Sequence, residues 1–325
     1  MHHDLDCDTE GEWNMRKYKL ELLILLAGGA LTLSACGGFG HAIHSMAKAV
    51  NQVNISVGST TGKLHETTET RALEIADWRK LNVSNDIGEI RVVAGSEKPS
   101  VTITKRFYKP ENLKFSLETR GDTLMVTGLV KPNFCNNCGI DLTFNIPTGL
   151  EVHLQSDVGD IAVTGQINML EAKTDIGTIT AEHLGAATVH LQSDTGDVNL
   201  NDVQGAVKLE SNIGEITVTN LRGSLDLHTD TGDVTAKNIN LEPDSSNQLS
   251  SNIGTVRLEE FTAPNGIELT GDTNMGDLEL GLNGFLVNQS GEFIEHHFTA
   301  SRDGTHAAKV SLQTDTGTIV ARVGN

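Results

Sequence analysis

Residues 211–216 read SNIGEI, and closely similar hexapeptides recur seven more times between residues 156 and 319. The other copies are SDVGDI (156–161), TDIGTI (174–179), SDTGDV (193–198), TDTGDV (229–234), SNIGTV (251–256), TNMGDL (273–278) and TDTGTI (314–319). Successive glycines are separated by 18, 19, 18, 18, 22, 22 and 41 residues. A repeat of this kind predicts a solenoid, in which each unit packs on its neighbours.

The repeat extends beyond these eight copies. An earlier copy, NDIGEI (85–90), lies 71 residues before Gly159, which suggests about four coils with diverged turns, and the last gap suggests two coils. We therefore assign residues 73–325 to one repeat domain. The turn glycines of this domain are Gly88, Gly159, Gly177, Gly196, Gly214, Gly232, Gly254, Gly276 and Gly317.

Alignment on the glycine shows what the flanking positions do. The residues two and four places after it are aliphatic or Ala, and the residue five places before it is Leu or Ala in all eight hexapeptide copies except at Gly271. Apolar residues with a period of two indicate strands with one buried face, so each unit is strand, turn and strand. The fold class is all-β. The expected architecture is a single-stranded β-helix, or β-solenoid, with coils of about 18–22 residues and right-handed winding favoured.

The turn itself makes two predictions. Glycine in this position is expected at positive φ, where a side chain would be strained. Ser or Thr stands three residues before each of these eight glycines, and its hydroxyl is expected to bond turn amides that stacking leaves unpaired. Stacking also brings the Asp and Asn residues of successive turns together, and the Asn residues reduce the repulsion between carboxylates. The outward row His153, Glu171, His190, Lys208 and Asp226 is interpreted as a solvated face.

The N-terminal region has the order of features of a lipoprotein precursor. A basic stretch from Met15 to Lys19 precedes an apolar run that ends in Leu33-Ser34-Ala35-Cys36, which resembles a lipobox. We expect residues 15–35 to be a signal peptide, Cys36 to carry the lipid, and residues 36–72 to be a flexible tether. Residues 1–14 are acidic, which is wrong for a signal peptide, and are interpreted as a non-native extension.

Cys135 and Cys138 form a CxxC motif (135–138). No second CxxC completes a tetrahedral zinc site, and no βαβ pattern surrounds the pair. Outside the cytoplasm a local disulfide is the favoured interpretation, with metal binding and redox use as the alternatives.

The repeat, together with residues 73–92, GDTL (121–124) and IDLTFNIPTGLEV (140–152), resembles the bacterial "putative adhesin" family of β-strand repeat proteins. This resemblance covers about three quarters of the chain. It implies a β-solenoid and carries no agreed catalytic residues, so no catalytic, cofactor-binding or metal-binding residue is predicted.

Composition limits the function. A formal net charge of −19 disfavours nucleic acid as a partner. The favoured function is a non-enzymatic, lipid-anchored envelope protein whose surface binds or adheres to a protein or glycan. The lipid on Cys36 would hold it to a bacterial membrane. Gly37, and not Asp, follows the cysteine, which by resemblance to enterobacterial lipoproteins favours the outer membrane in a host that has one. The alternatives are a periplasm-facing module for envelope maintenance or stress signalling and, more distantly, a polysaccharide-active β-helix enzyme.

Overall fold

The computed structural model describes residues 63–74, 78–131, 135, 137–292 and 294–324. These residues form 23 strands and a short 3₁₀ turn at Pro110–Asn112, and hydrogen bonds join all the strands into one sheet. No α-helix occurs among them. The predicted all-β solenoid is confirmed.

The middle of the domain consists of regular coils, each with one strand entering the glycine turn and one strand leaving it. β13 (Val198–Ile213) and β14 (Ile216–Thr231) each run through from one glycine turn to the next. The other regular strands are β8 (Glu151–Val158), β9 (Ile161–Thr164), β10 (Met169–Ile176), β11 (Ile179–Ala186), β12 (Thr188–Thr195), β15 (Val234–Leu241), β16 (Ser246–Ile253) and β17 (Val256–Phe261).

The strands that precede the turn pair in parallel with one another, and so do the strands that follow it. We call these two sets the incoming ladder and the outgoing ladder. Pairing is in register, so Leu191, Leu209 and Leu227 lie side by side in the incoming ladder. All three are fully buried, and the burial of each contributes about 1.5–3 kcal/mol to stability.

The strands at the two ends complete the ladders in an order that differs from the sequence. The N-terminal strands are β1 (His65–Ala72), β2 (Lys80–Ile87), β3 (Ile90–Ala94), β4 (Ser100–Phe107), β5 (Leu113–Arg120), β6 (Thr123–Val130) and β7 (Gly139–Ile146). The C-terminal strands are β18 (Ile267–Met275), β19 (Leu278–Gly281), β20 (Leu286–Glu292), β21 (Glu295–Arg302), β22 (Ala308–Thr316) and β23 (Ile319–Val323).

The first and the last regular coils are each inserted between two others. The β2–β3 coil lies between the β6–β7 coil and the β8–β9 coil. Likewise, the β22–β23 coil lies between the β16–β17 coil and the β18–β19 coil. The incoming ladder therefore runs β5-β6-β2-β8-β10-β12-β13-β14-β16-β22-β18-β21-β20, and the outgoing ladder runs β1-β4-β7-β3-β9-β11-β13-β14-β15-β17-β23-β19.

The two long gaps in the repeat are thus not filled by the coils that the sequence suggested. The gap before Gly159 holds antiparallel strands β4 and β5 and a single further coil, β6–β7. The gap before Gly317 holds the antiparallel hairpin of β20 and β21. The expectation of about four and about two diverged coils was wrong, because antiparallel strands that finish a ladder carry no turn glycine in register with the others.

The single departure from the Leu/Ala pattern has a local cause. A Cβ atom on Gly271 would lie 2.0 Å from the ring of Phe298, which is fully buried on β21. The antiparallel hairpin therefore supplies the large apolar side chain that the β18 strand lacks.

Strand structure begins before the predicted domain boundary. β1 occupies residues 65–72, within the range assigned to the tether, and pairs with β4 along its whole length. Residues 1–62, including the predicted signal peptide at 15–35 and Cys36, lie outside the described residues. No helix long and apolar enough to cross a membrane is found in the part of the chain that the structure describes.

Candidate functional site

The glycine turns form a column in which each backbone touches the one before it. A Cβ atom on Gly232 would lie 2.0 Å from the carbonyl oxygen of Gly214, which is too close for any side chain. The φ of Gly232 is 148°, so a side chain would also be strained there. Positive φ is found as predicted at Gly88, Gly159, Gly177, Gly196, Gly232, Gly254 and Gly317. Gly214 and Gly276 lie outside that range, and close approach alone excludes a side chain at these two positions.

In seven of the eight hexapeptide copies the hydroxyl three residues before the glycine bonds the neighbouring coil, whereas the buried Ser156 hydroxyl has no hydrogen-bond partner among the described residues. Thr229 Oγ1 donates to the carbonyl oxygen of Gly214 at 3.0 Å, and Ser193 Oγ donates to that of Gly177 at 2.9 Å. Thr174, Ser211, Ser251, Thr273 and Thr314 make the same bond to the neighbouring coil. The prediction that these hydroxyls bond turn amides was wrong, because the group they reach is the glycine carbonyl.

The turn amides are bonded by acidic side chains instead. Asp160, Asp197 and Asp233 each accept a hydrogen bond from the backbone N–H one coil further on, at 2.8–2.9 Å. The donors are the amides of Thr178, Glu215 and Thr255. Much of the acidic character of the turns therefore stabilises the backbone of this column.

Replacing Thr229 by valine should measure how much one hydroxyl hydrogen bond in the column contributes to the free energy of unfolding. Valine keeps the shape but leaves the buried Gly214 carbonyl without this donor, so the free energy of unfolding should fall by about 1–3 kcal/mol. Thr235→Val, on the outward side of β15, is the matched control and should change stability by less than about 0.5 kcal/mol. Urea unfolding of both variants checks this, and equal effects would show that the hydroxyl contributes nothing.

The predicted outward charged row is present on the incoming ladder. His153, Glu171, His190, Lys208 and Asp226 are neighbours in register. His153 Nδ1 lies 2.9 Å from Glu171 Oε2, and Lys208 Nζ lies 2.7 Å from Glu210 Oε1. The hydrogen bond between Lys208 and Glu210 raises the pKa of the lysine and lowers the pKa of the carboxyl. These exposed pairs satisfy one another and make this row a solvated surface.

The turn Asp and Asn residues also pair as predicted. Asn252 Nδ2 donates to Asp230 Oδ1 at 2.9 Å, and Asn274 Nδ2 donates to Asp315 Oδ1 at 3.0 Å. A shallow polar hollow of about 350 Å³ lies over this part of the incoming ladder. The described residues contain no group of three His, Cys, Asp or Glu side chains placed to hold a metal ion.

The structure joins Cys135 and Cys138 by a disulfide, with Cα atoms 5.4 Å apart. The two cysteines lie between β6 and β7, where the other coils have the glycine turn. The disulfide therefore closes a turn of the outermost parallel coil at the N-terminal end.

The opposite corner of the coils carries a second column that the sequence analysis did not identify. His183, Asp202, Asn220 and Asn238 each adopt the left-handed conformation, with φ between 56° and 58°. Asn and Asp tolerate this conformation better than most residues. Asn238 Nδ2 donates to Asn220 Oδ1 at 2.5 Å, and His183 Nδ1 lies 2.8 Å from Asp202 Oδ2.

An open groove of about 550 Å³ runs along this corner. One side is formed by the left-handed column, and the other by Gln204, Arg222 and Asn240, which are neighbours in register on β13, β14 and β15. Gln166 and Gly185 continue the lining toward the N-terminal end. The groove thus displays amides and charges at the spacing of parallel strands, about 4.8 Å.

Arg222 is the distinctive group of this groove. Its side chain is exposed and makes no ion pair or hydrogen bond with any residue that the structure describes. A guanidinium donates in a planar fork that matches a carboxylate. The free Arg222, flanked by amides, can therefore bind an anionic group of a ligand lying in the groove.

A sequence signal for this column was present. Asp202, Asn220 and Asn238 are 18 residues apart, and so are Gly205 and Gly223, whose Cβ positions are blocked by the carbonyls of Ala187 and Gly205. This second period marks another stacked turn. The groove itself could not be predicted from this spacing, because its depth depends on the position at which the backbone changes direction in the second turn.

The hydrogen bond to Asp202 raises the pKa of His183 above its ordinary value. A raised folded-state pKa means that the pair stabilises the fold at acidic pH and loses that effect as the pH rises through the pKa of His183. Asp202→Asn should move the midpoint of the His183 titration to lower pH. Histidine NMR titration of both proteins checks this, and an unchanged midpoint would show that Asp202 does not control the ring.

The chain belongs to the Toastrack DUF4097 family, whose model matches residues 52–321. This agrees with the β-solenoid-like architecture and with the adhesin-type β-repeat family expected from the sequence. No curated protein is significantly similar to the chain.

Several solved structures are similar over most of their length. A "putative adhesin" from Bacteroides fragilis is 13% identical with a TM-score of 0.42, over 78% of this chain and 97% of that one. A "putative cell adhesion protein" from Clostridium sporogenes is 12% identical with a TM-score of 0.25, over 80% and 100% of the two chains. A "putative lipid binding protein" from Parabacteroides distasonis is 13% identical with a TM-score of 0.23, over 78% and 96%. Likenesses this distant assign no function.

Proposed function

We propose that this protein is a non-enzymatic, lipid-anchored protein of the bacterial cell envelope that binds an extended protein or glycan partner through the groove at the left-handed corner. The observation that carries the proposal is Arg222, an exposed cation without an ionic partner among the described residues, in a groove lined with amides. Since Asp202 is already paired with His183, such a groove offers one unpaired cation, Arg222, and a row of polar contacts to a ligand that carries a carboxylate.

The stacked coils suit this function physically. Each groove residue is fixed by two neighbouring coils in the ladders, so little side-chain and backbone freedom has to be lost when a ligand binds. The repeat along the ladder is about 4.8 Å, and successive residues or sugar units of an extended ligand can therefore meet equivalent groups. An open groove with a repeated polar lining favours recognition of a long ligand over a compact one.

Binding can be tested with a panel of oligosaccharides, with and without uronic acid units, and of extended peptides with and without acidic residues. We expect a carboxylate-bearing probe to bind, and Arg222→Ala to weaken it by about 10-fold or more. Arg91→Ala is the matched control, since Arg91 is an exposed arginine of the same ladder that already pairs with Glu89. Equal affinities of wild type and Arg222→Ala would refute the assignment of the groove.

The lipid anchor rests on the sequence around Cys36, and labelling tests it separately. Cells expressing the protein are given a clickable palmitate analogue, which should label the wild type and leave Cys36→Ser unlabelled. Protease added to intact cells then distinguishes a surface-exposed protein from one that faces the periplasm, and density-gradient fractionation checks the proposed outer-membrane location. Equal labelling of the Cys36→Ser variant would exclude lipidation at this residue.

A further inference from the structure

Three polar side chains without partners stand in one row along the groove. Gln204 on β13, Arg222 on β14 and Asn240 on β15 are neighbours in register, so they occupy equivalent places on three consecutive coils. All three are exposed, and none makes a side-chain hydrogen bond or ion pair with a residue that the structure describes. We call them the recognition row. Because the row crosses the strands, its groups follow one another along the solenoid at about 4.8 Å.

The opposite wall of the groove is already hydrogen-bonded. Asn220 Nδ2 donates to Asn201 Oδ1 at 2.8 Å, and Asn220 Oδ1 accepts from Asn238. Asp202 is paired with His183. These bonds hold the left-handed column together, so the polar groups that are free to meet a ligand are those of the recognition row.

We propose that the groove binds an acidic glycan along the solenoid axis, with one uronic acid unit on Arg222 and a neutral sugar on each side, at Gln204 and Asn240. The inference rests on the groove function proposed above and narrows its ligand to one class. A guanidinium can form two parallel hydrogen bonds with a carboxylate. A side-chain amide carries two donors and an acceptor, which is the combination that neighbouring sugar hydroxyls require.

The spacing of the recognition row separates glycans from peptides. An extended peptide turns alternate side chains to opposite sides, so the side chains on one side are about 6.6 Å apart. A peptide carboxylate on Arg222 therefore leaves the neighbouring side chains out of step with Gln204 and Asn240. A pyranose chain linked through opposite ring carbons advances by close to one strand spacing per sugar, and every sugar carries hydroxyls on its edges. Three successive sugars therefore meet three successive coils.

The charges around the groove restrict the ligand to a sparsely acidic glycan. Arg222 is the one unpaired cation among the described residues that line the groove, because the other basic side chain, His183, is held by Asp202. A carboxylate on a flanking sugar would have no cation to pair with, and a chain of net charge −19 would repel it. A glycan with an acid on every unit should therefore bind more weakly than one with a single central acid.

NMR titration of the full chain carrying Cys36→Ser with three 1,4-linked trisaccharides tests the inference. The first has a central glucuronate, galacturonate or mannuronate between two neutral hexoses, the second has three neutral hexoses, and the third has three uronic acids. We expect the first to bind with a dissociation constant of about 1 mM or below, and the other two to bind about 3-fold more weakly or worse. The side-chain amide signals of Gln204 and Asn240 should shift with the first trisaccharide.

Two variants remove the flanking contacts and leave the arginine in place. Gln204→Ala and Asn240→Ala should each weaken binding of the first trisaccharide by about 3-fold or more, because each loses one hydrogen-bonding group. Both side chains are exposed and unpaired among the described residues, so neither change should disturb the fold. Gln155→Ala, at an exposed glutamine of β8 in the incoming ladder, is the matched control and should leave binding unchanged.

An extended peptide with a central glutamate between serines completes the comparison. Tighter Arg222-dependent binding of this peptide than of the first trisaccharide would overturn the choice of a glycan and leave the groove function standing. Equal affinities in the wild type, Gln204→Ala and Asn240→Ala would overturn the recognition row. A neutral or fully acidic trisaccharide that binds as tightly as the first would contradict the single central acid. If no probe binds in a way that depends on Arg222, both this inference and the proposed groove function are wrong.

Discussion

Replacing Gly232 by alanine should lower the free energy of unfolding by about 3–5 kcal/mol. The new Cβ atom would lie 2.0 Å from the carbonyl oxygen of Gly214, and that atom belongs to the backbone of the neighbouring coil. No rotamer change can relieve the contact. The two coils must separate at the turn, and the hydrogen bonds of Gly232 N–H to Ile253 and of Thr229 to Gly214 are strained or lost.

Gly95→Ala is the matched control for Gly232→Ala. Gly95 also has a positive φ, 127°, but no atom lies within 4 Å of the position that its Cβ would take. It should therefore cost only the backbone strain, about 1–2 kcal/mol. The difference in the free energy of unfolding between the two variants, measured in urea, gives the cost of the clash between coils apart from the cost of backbone strain. Similar losses of stability in both would contradict the close contact between coils.

Gly317→Ala should be about as damaging as Gly232→Ala, at about 3 kcal/mol or more, although Gly317 is only eight residues from Asn325. Sequence order would put its coil at the end of the column, where a defect should have a smaller effect. In the structure Gly317 lies between Gly254 and Gly276, with its Cβ position 1.9 Å from the Gly254 carbonyl oxygen. A side chain here forces apart β22–β23 and β16–β17, which lie inside the ladders.

Gly276→Ala is the comparison variant for Gly317→Ala. Its Cβ would lie 1.7 Å from the Gly317 carbonyl oxygen, but only the hairpin of β20 and β21 lies beyond its coil. Local opening of this end relieves the clash, so the cost should be smaller, about 1–2 kcal/mol. Hydrogen exchange should show faster exchange confined to β18–β21 in Gly276→Ala, and spread to β16 and β17 in Gly317→Ala. The reverse ranking would favour stacking in sequence order.

The sequence alone determined the unit of this fold. Aliphatic residues two and four places after each glycine and Leu or Ala five places before it predicted two half-buried strands, and the structure buries Ile216, Val218 and Leu209 as expected. Period-two burial depends only on which side chains point inward, so it can be read from spacing. The same reasoning placed His153, Glu171 and His190 in one outward row, because in-register parallel strands align equivalent positions.

Spacing could not determine which coil lies next to which. Every copy of the hexapeptide can pack against every other copy, so the repeat is compatible both with coils stacked in sequence order and with the observed order. In the observed order the Gly317 turn lies between the Gly254 and Gly276 turns. The stacking order is decided at the two ends of the ladders, where the antiparallel strands β4, β5, β20 and β21 add to the ladders. At each end one coil is inserted between two others.

The tertiary structure also decided the groove and the direction of the hydroxyl bonds. Arg222 lies in an open groove because the left-handed residues at Asp202, Asn220 and Asn238 bend each coil at the same place and leave the corner open. Thr229 donates to a carbonyl because the next coil sets that oxygen 3.0 Å away. Both results depend on distances between atoms of different coils, and the spacing of residues along the chain does not give those distances. Burial and strand formation, in contrast, depend on the alternation of apolar and polar residues within each repeat.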